Sequence, residues 1–226
     1  MAVLFLPYSM TAAFILWIIG AVMQFSLTII FLHNNFWSDS FAFMHFTPLS
    51  FLPIVGNLVV PIAGSELAPI QLNWFFFGFG ITFSIIYIAF MFNRLFFREQ
   101  LPGKMLPTIF IIMAPPAVGF VSYVNLMNTI DPFANILYGV ALFFGFILLM
   151  QLPKIFSQDF AVPFWAMLFP SGAMTIATIR MFQETQHTIY FIMNIIQMVG
   201  LFAFLLYFSW QTFQAAKRKK LCTPER

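Results

Sequence analysis

The stretch MLPTIFIIMAPPAVGFVSYV (residues 105–124) decides the fold, because it is apolar and long enough to cross a membrane and yet carries two prolines near its centre. Two other membrane-length stretches are interrupted in the same way: LSFLPIVGNLVVPIAG (residues 49–64) and FAVPFWAMLFPSGAMTIATIR (residues 160–180). Proline removes a backbone donor and displaces the preceding turn, and in lipid the freed carbonyl has no water to bind. Such breaks are tolerated where helices cover them or where they line a water-filled cavity, so three of them predict a path through the protein.

The composition predicts an integral membrane protein, since 62% of the 226 residues are hydrophobic and only 8% are charged. No soluble domain of this size needs so little charge. A single cysteine, Cys222, excludes a disulfide framework and a cysteine-based metal site. The net charge of +3 does not indicate nucleic-acid binding, because it is concentrated in the terminal run KRKK at residues 217–220, which is typical of a cytoplasmic anchor.

Seven segments are apolar and long enough to span a bilayer, which takes about 20 residues. They are residues 11–32, 48–65, 73–93, 105–127, 132–152, 160–181 and 188–213. The predicted fold class is therefore an all-α integral membrane protein. Its predicted domains are a transmembrane domain over residues 1–216 and a basic cytoplasmic tail over residues 217–226.

The basic residues predict the orientation in the membrane. Nine of the ten Lys and Arg residues fall on one side of the predicted topology, which should be the cytoplasm, and only Arg180 falls on the other. The C-terminus is then cytoplasmic, and Met1 is outside. Residues 1–11 carry no Lys or Arg, so we expect no cleaved signal peptide, and the outside position of Met1 suggests that further helices precede it.

Ionisable residues are nearly absent from the centres of the spans, and this argues against several functions. Proton-coupled pumps, retinal proteins and haem-bearing bundles need a mid-span carboxylate, lysine or histidine. Intramembrane hydrolysis needs a paired-aspartate site, a Gly-x-Ser-x-Gly serine or an HExxH zinc site, and the sequence contains none of these patterns. We therefore expect no enzyme activity, no cofactor and no metal.

The polarity that remains at mid-depth is mild. It comes from hydroxyl and amide side chains, namely Asn57, Ser122, Asn125, Ser171, Thr175, Thr178, Asn194 and Gln197. Such groups often make only interhelical hydrogen bonds. Beside a proline break, however, backbone dipoles are exposed, and the N-terminus of a half-helix attracts anions. The sequence thus favours a weakly electropositive lumen without fixed charge, which suits anions that must pass without binding tightly.

Three blocks of sequence carry a family resemblance: TPLSFLPIVGNLVVPIAG (residues 47–64), PTIFIIMAPPAVGF (residues 107–120) and FWAMLFPSGAMTIATIR (residues 164–180). In this order and spacing they resemble the tellurite-resistance/dicarboxylate transporter family, which includes bacterial TehA proteins and the slow-type anion channels of plant guard cells. The resemblance implies ten helices, arranged as five hairpins around a central pore, in a homotrimer with one pore per subunit. This chain matches the last seven, helices four to ten.

The resemblance also implies site residues. In the family a phenylalanine ring from the ninth helix blocks the pore, and Phe169, in LFPSG, matches that position. A ring there would block by size and by dewetting and would open by a rotamer change. The residues expected to line the pore are Pro53, Gly56, Asn57, Pro61, Pro115, Pro116, Ala117, Pro170 and Ser171. Arg180 is either a pore-mouth residue that attracts anions or an interfacial residue paired with Glu184 one turn away.

The leading hypothesis is a passive channel for small anions such as chloride or nitrate in the plasma (inner) membrane. A carrier or exporter of C4-dicarboxylates, sulfite or tellurite-related oxyanions is an alternative, although dianions usually call for basic residues in the pore and no mid-span basic residue exists. A non-transport seven-helix receptor or assembly subunit would share the topology but not the proline pattern. The expected partners are the lipid bilayer, small anions and further copies of the chain, and not nucleic acid.

Overall fold

A computed structural model describes residues 2–36, 46–98 and 101–218, and this part of the chain is almost entirely helical, without a β-strand. Most of the predicted tail, residues 219–226 with Cys222, lies outside the described residues. The α-helices are α1 (Ala2–Phe5), α2 (Met10–Phe36), α3 (Leu52–Leu67), α4 (Ile70–Phe97), α5 (Ala114–Met127), α6 (Pro132–Phe156), α7 (Leu168–Thr185) and α8 (Thr188–Lys217). Within these described ranges, seven helices, counted with their 3₁₀ lead-in segments, are long and apolar enough to cross a membrane, which confirms the predicted all-α membrane fold.

Each proline-interrupted span consists of a 3₁₀ segment followed by an α-helix. The 3₁₀ segments Pro48–Phe51, Gly103–Met113 and Val162–Met167 lead directly into α3, α5 and α7. Pro53, Pro115 and Pro170 therefore fall in the first turn of an α-helix, where the backbone N–H groups have no intrahelical partner and proline is tolerated. These prolines mark where α-helix begins within a span, rather than a kink inside one.

The three spans that begin with a 3₁₀ segment form the inside of the molecule. In their membrane-length windows 56%, 83% and 44% of residues are buried, against 17%, 28%, 33% and 0% for α2, α4, α6 and α8. Helix α5 packs between α3 and α7, and each of these inner helices packs against the helix that follows it, so the spans form three hairpins. The outer helices carry large exposed apolar side chains, as a lipid-facing surface requires.

The core lies where the 3₁₀ segments meet. Segment Gly103–Met113 contacts both Pro48–Phe51 and Val162–Met167. Large, fully buried side chains cluster around this junction, including Phe51, Ile111 and Phe164. Because buried aromatic side chains contribute most of the packing area in such a junction, it holds the three inner spans in register.

Asp131 joins α5 to α6 across the short loop between them. Its Oδ1 accepts a hydrogen bond from the Ala134 amide at 2.9 Å and caps α6, and its Oδ2 accepts from the Tyr123 hydroxyl at 2.6 Å. The Tyr123 hydroxyl and then the Ala134 amide hold the pKa of the Asp131 carboxyl below its usual value. The folded state therefore stabilises the ionised form of the Asp131 carboxyl relative to the protonated form.

This geometry predicts how stability responds to acid. A lowered pKa contributes stability above the unfolded value, about 3.9, and the contribution is lost as pH falls through the lower folded value. We expect Asp131→Ala to lower the melting temperature at pH 7 and to flatten its decline below about pH 4. Thermal unfolding in detergent checks this, with the exposed loop carboxylate Asp159→Ala as control. An unchanged acid response in Asp131→Ala would contradict the assignment.

Candidate functional site

A cavity of about 460 Å³ lies between α2, α3 and the first turn of α7. Small residues provide much of its wall, among them Gly20 and Ala21 from α2 and Gly56 and Ala63 from α3. Within the described part of the chain, no ionisable side chain lines it. The cavity is therefore an uncharged space beside two of the three inner helices.

Phe169 projects into this cavity from the second position of α7. Its side chain is 47% exposed. By contrast, Phe120 in the second family block and Phe164 in the same block as Phe169 are almost fully buried. The following residue, Pro170, is buried and belongs to the first turn of the helix. The backbone at Phe169 is thus anchored while its ring has room to change rotamer.

The other predicted pore residues do not all reach this cavity. Gly56 lines it together with Phe169. Asn57 and Pro61 are buried in α3, Pro53 is half-buried at the start of the same helix, and Ser171 donates to the Met167 carbonyl at 2.8 Å. The remaining residues of the predicted set lie buried in the first turns of α5 and α7: Pro115, Pro116, Ala117 and Pro170. A pore-lining role for these residues stays a prediction.

A polar cluster lies behind Gly56 and involves residues that sequence reasoning missed. Gln24 Nε2 donates to the Pro53 carbonyl oxygen at 2.7 Å, and Thr28 Oγ1 lies 2.7 Å from the same oxygen. Asn57 Nδ2 donates to Thr28 Oγ1 at 2.9 Å and to the Pro53 oxygen at 3.0 Å. Gln24 and Thr28 lie one turn apart in a largely apolar helix, and this spacing is the sequence feature that could have predicted a polar contact at this position.

Gly56 is required by the path of the Gln24 side chain. A Cβ at residue 56 would overlap the Gln24 amide, which crosses over the glycine to reach Pro53. Gln24 also lines the cavity, so its amide forms part of the wall. The glycine thus lets an amide from α2 cover the first turn of α3.

Two more carbonyl groups of α3 accept from neighbouring helices on either side of Pro61. Trp17 Nε1 donates to the Val60 oxygen at 2.9 Å, and Asn125 Nδ2 donates to the Ile62 oxygen at 3.0 Å. The Gly64 oxygen also accepts from Asn73 Nδ2, at 2.8 Å, so together with Pro53 four carbonyls of the helix that lines the cavity accept from side chains of neighbouring helices. Covered carbonyls present less negative potential to the cavity than bare ones.

Arg180 forms an ion pair with Glu184, with Nη2 and Oε1 3.4 Å apart and both side chains about one-third exposed, at 30% and 34%. This is the one-turn pairing that the sequence suggested. Such exposed pairs contribute only about 0.3–0.5 kcal/mol. Arg180 does not line the cavity, so its role at a pore mouth stays a prediction.

The seven spans and the arrangement of inner and outer helices define a multi-pass helical membrane protein. A family model for SLAC1, described as voltage-dependent anion channel, matches residues 1–213 of the chain. The chain therefore belongs to the SLAC1 family, which confirms the resemblance seen in the three sequence blocks. Among the described residues, no group of three His, Cys, Asp or Glu side chains is placed to hold a metal ion.

The relatives are named as transporters and anion channels. Two uncharacterized transporters of Methanocaldococcus jannaschii are each 28% identical to this chain, over 93% and 87% of it and over 66% and 62% of their own lengths. The S-type anion channel SLAH2 of Arabidopsis thaliana is 28% identical over 61% of this chain and 26% of its own. The chain thus spans a little under two thirds of the length of the archaeal relatives.

Proposed function

We propose that the chain forms a passive channel for small anions such as chloride or nitrate, and that the cavity beside α3 and α7 is part of its conduction path. The observation that carries the proposal is the ring of Phe169, which reaches from the inner helix α7 into an uncharged cavity that α1, α2 and α3 also line. General anion transport agrees with the chain's family and with the names of its plant relatives, which are S-type anion channels. In this reading Phe169 is the gate.

The electrostatics of the cavity favour anions without binding them tightly. Leu52 and Phe169 lie at the junctions where 3₁₀ segments continue into α3 and α7, and both line the cavity, so two of these junctions border the same uncharged space. The donors that cover the carbonyls of α3 lower the negative potential of these carbonyls.

The absence of a basic side chain from the described cavity lining favours a channel over a dicarboxylate or tellurite-related carrier. A dianion is usually held by Arg or Lys through charge-assisted hydrogen bonds. A small monovalent anion can exchange part of its hydration for polar groups such as side-chain amides and then leave again. The carrier reading therefore requires a binding site elsewhere in the protein.

The orientation and assembly belong to the same proposal. Helices α4, α6 and α8 end at one face of the membrane, with Arg98, Lys154 and Lys217 at or beside their C-terminal ends. The positive-inside rule makes that face cytoplasmic in a plasma (inner) membrane. The homotrimer rests on the family resemblance and stays a prediction.

Anion flux into proteoliposomes tests the function. With the wild-type protein and Phe169→Ala side by side, we expect chloride and nitrate flux that follows the gradient, does not saturate at low substrate and exceeds that of malate or sulfite. Protein-free liposomes from the same preparation are the control. Saturable exchange of dianions would indicate a carrier rather than a channel. The absence of flux from both proteins would favour a non-transport role.

A further inference from the structure

A second cavity, of about 380 Å³, shares no lining residue with the first and is not used by the proposed conduction path. It is enclosed by the C-terminal part of α4, the 3₁₀ segment Gly103–Met113 and the C-terminal part of α6. Its wall is almost wholly apolar, with Phe92, Ile109 and Leu148 among the lining residues. Gln151 and Lys154 are the polar side chains among its described lining.

The cavity opens sideways from the helix bundle. Phe96 and Ile147, which line it from the two outer helices, are 69% and 37% exposed. Their surroundings are the apolar faces of α4 and α6, which lie against lipid in a membrane. An occupant can therefore enter from the bilayer without crossing the protein.

The polar end of the cavity is close to one membrane surface. Lys154 lies in the last turn of α6 and is exposed, while its neighbour Ile155 is buried against the core. Helix α4 ends at Phe97, and segment Gly103–Met113 begins a few residues later. The three elements that form the cavity wall, α4, this segment and α6, therefore reach the same membrane surface. Lys154 thus stands where an apolar pocket meets the headgroup layer, and its stem is long enough to follow the wall.

We propose that this cavity binds an anionic glycerophospholipid of the leaflet on which the basic helix ends lie. One acyl chain occupies the apolar part, the Lys154 ammonium pairs with the phosphate, and the Gln151 amide donates a further hydrogen bond. The match is one of charge and polarity, since basic pockets between transmembrane helices on the cytoplasmic side bind anionic headgroups. An apolar cavity of this size does not hold ordered water, which needs several polar partners.

The position of the lipid has a structural consequence. Segment Gly103–Met113 forms one wall of the cavity through Leu106, Ile109 and Ile112, and it also contacts the 3₁₀ segments that lead into α3 and α7. A ligand bound only to the folded state raises the melting temperature as its concentration increases. Bound lipid therefore stabilises the junction of the inner spans, independently of whether anions pass.

Native mass spectrometry of the purified protein with phosphatidylglycerol or phosphatidylcholine tests the site. We expect retention of phosphatidylglycerol, a fall of about fivefold in Lys154→Gln from loss of one basic contact, and a similar fall in Ile109→Trp, which fills the cavity. Lys217→Gln is the matched control, because Lys217 is exposed at the end of α8 on the same side and does not line the cavity. The rise in melting temperature on adding phosphatidylglycerol should be large in the wild type and in Lys217→Gln, and smaller in Lys154→Gln and Ile109→Trp.

Several outcomes would overturn the proposal. An equal fall in phosphatidylglycerol retention in Lys217→Gln would show general surface attraction. Equal retention of the two lipids, which both carry a phosphate, would show that the net negative charge of the headgroup is not recognised. A change of oligomeric mass in Ile109→Trp, with no lipid retained by the wild type, would assign the cavity to a second copy of the chain. Because none of these readouts is flux, failure here leaves the channel proposal standing.

Discussion

We expect Phe169→Ala to raise anion conductance by about tenfold or more relative to the wild type. The ring projects into an uncharged cavity, and removing it takes away both the steric obstacle and the apolar surface that excludes water. A tenfold change corresponds to a barrier lower by only about 1.4 kcal/mol, which is small for the removal of a ring from a constriction. Patch-clamp recording or stopped-flow flux in liposomes measures the effect.

Intermediate side chains make this test sharper. Phe169→Leu keeps an apolar side chain but shortens it, so its conductance should fall between those of the wild type and the alanine variant. The selectivity among monovalent anions should change less than the conductance, because the Gln24 amide and the covered carbonyls of α3 remain. Proton or cation leak in place of anion current would indicate a disrupted fold rather than an opened gate.

Phe202→Ala is the matched control for the gate. Phe202 is 56% exposed on α8, comparable to Phe169, but it does not line the cavity. Its loss should leave conductance unchanged. Unchanged conductance in Phe169→Ala at normal protein levels, or an equal rise in Phe202→Ala, would remove Phe169 from the gate position.

The largest loss of stability is expected from substitution of Gly64, where α2, α3 and α4 meet. A Cβ at residue 64 would overlap the Asn73 Oδ1 atom and approach Trp17 Nε1 to 2.9 Å. Asn73 is buried, and its Nδ2 donates to the Gly64 carbonyl oxygen at 2.8 Å while lying near two further carbonyls, so the amide cannot move without losing hydrogen bonds.

Gly64→Ala should therefore cost about 1–3 kcal/mol, as expected for overpacking, and Gly64→Val should prevent stable folding. Gly78→Ala in α4 is the matched control, because a Cβ there meets nothing within 4 Å. Alanine is also the better helix former by about 1 kcal/mol, so this variant should be neutral or slightly more stable. Thermal unfolding and size-exclusion profiles in detergent distinguish the variants, and equal melting temperatures would contradict the close approach.

The sequence by itself determined the class of protein and the places where its spans lie. The length and hydrophobicity of a segment are local properties, so seven spans and their family could be identified without knowing which helices touch. The three proline blocks marked spans that must be covered by other helices or line a cavity, and these are the most buried spans of the structure. Phe169, which the resemblance singled out, lines the cavity, and its role as a gate stays a prediction.

Only the tertiary structure decided which face of each helix points inward. The helices are apolar on nearly all sides, so no sequence periodicity distinguishes the lipid-facing from the packed face. The bond from Gln24 to the Pro53 carbonyl, the fit of Gly64 against Asn73 and the cavity at Lys154 all depend on how neighbouring helices rotate about their axes. That rotation is set by close packing between side chains distant in sequence, which no single segment encodes.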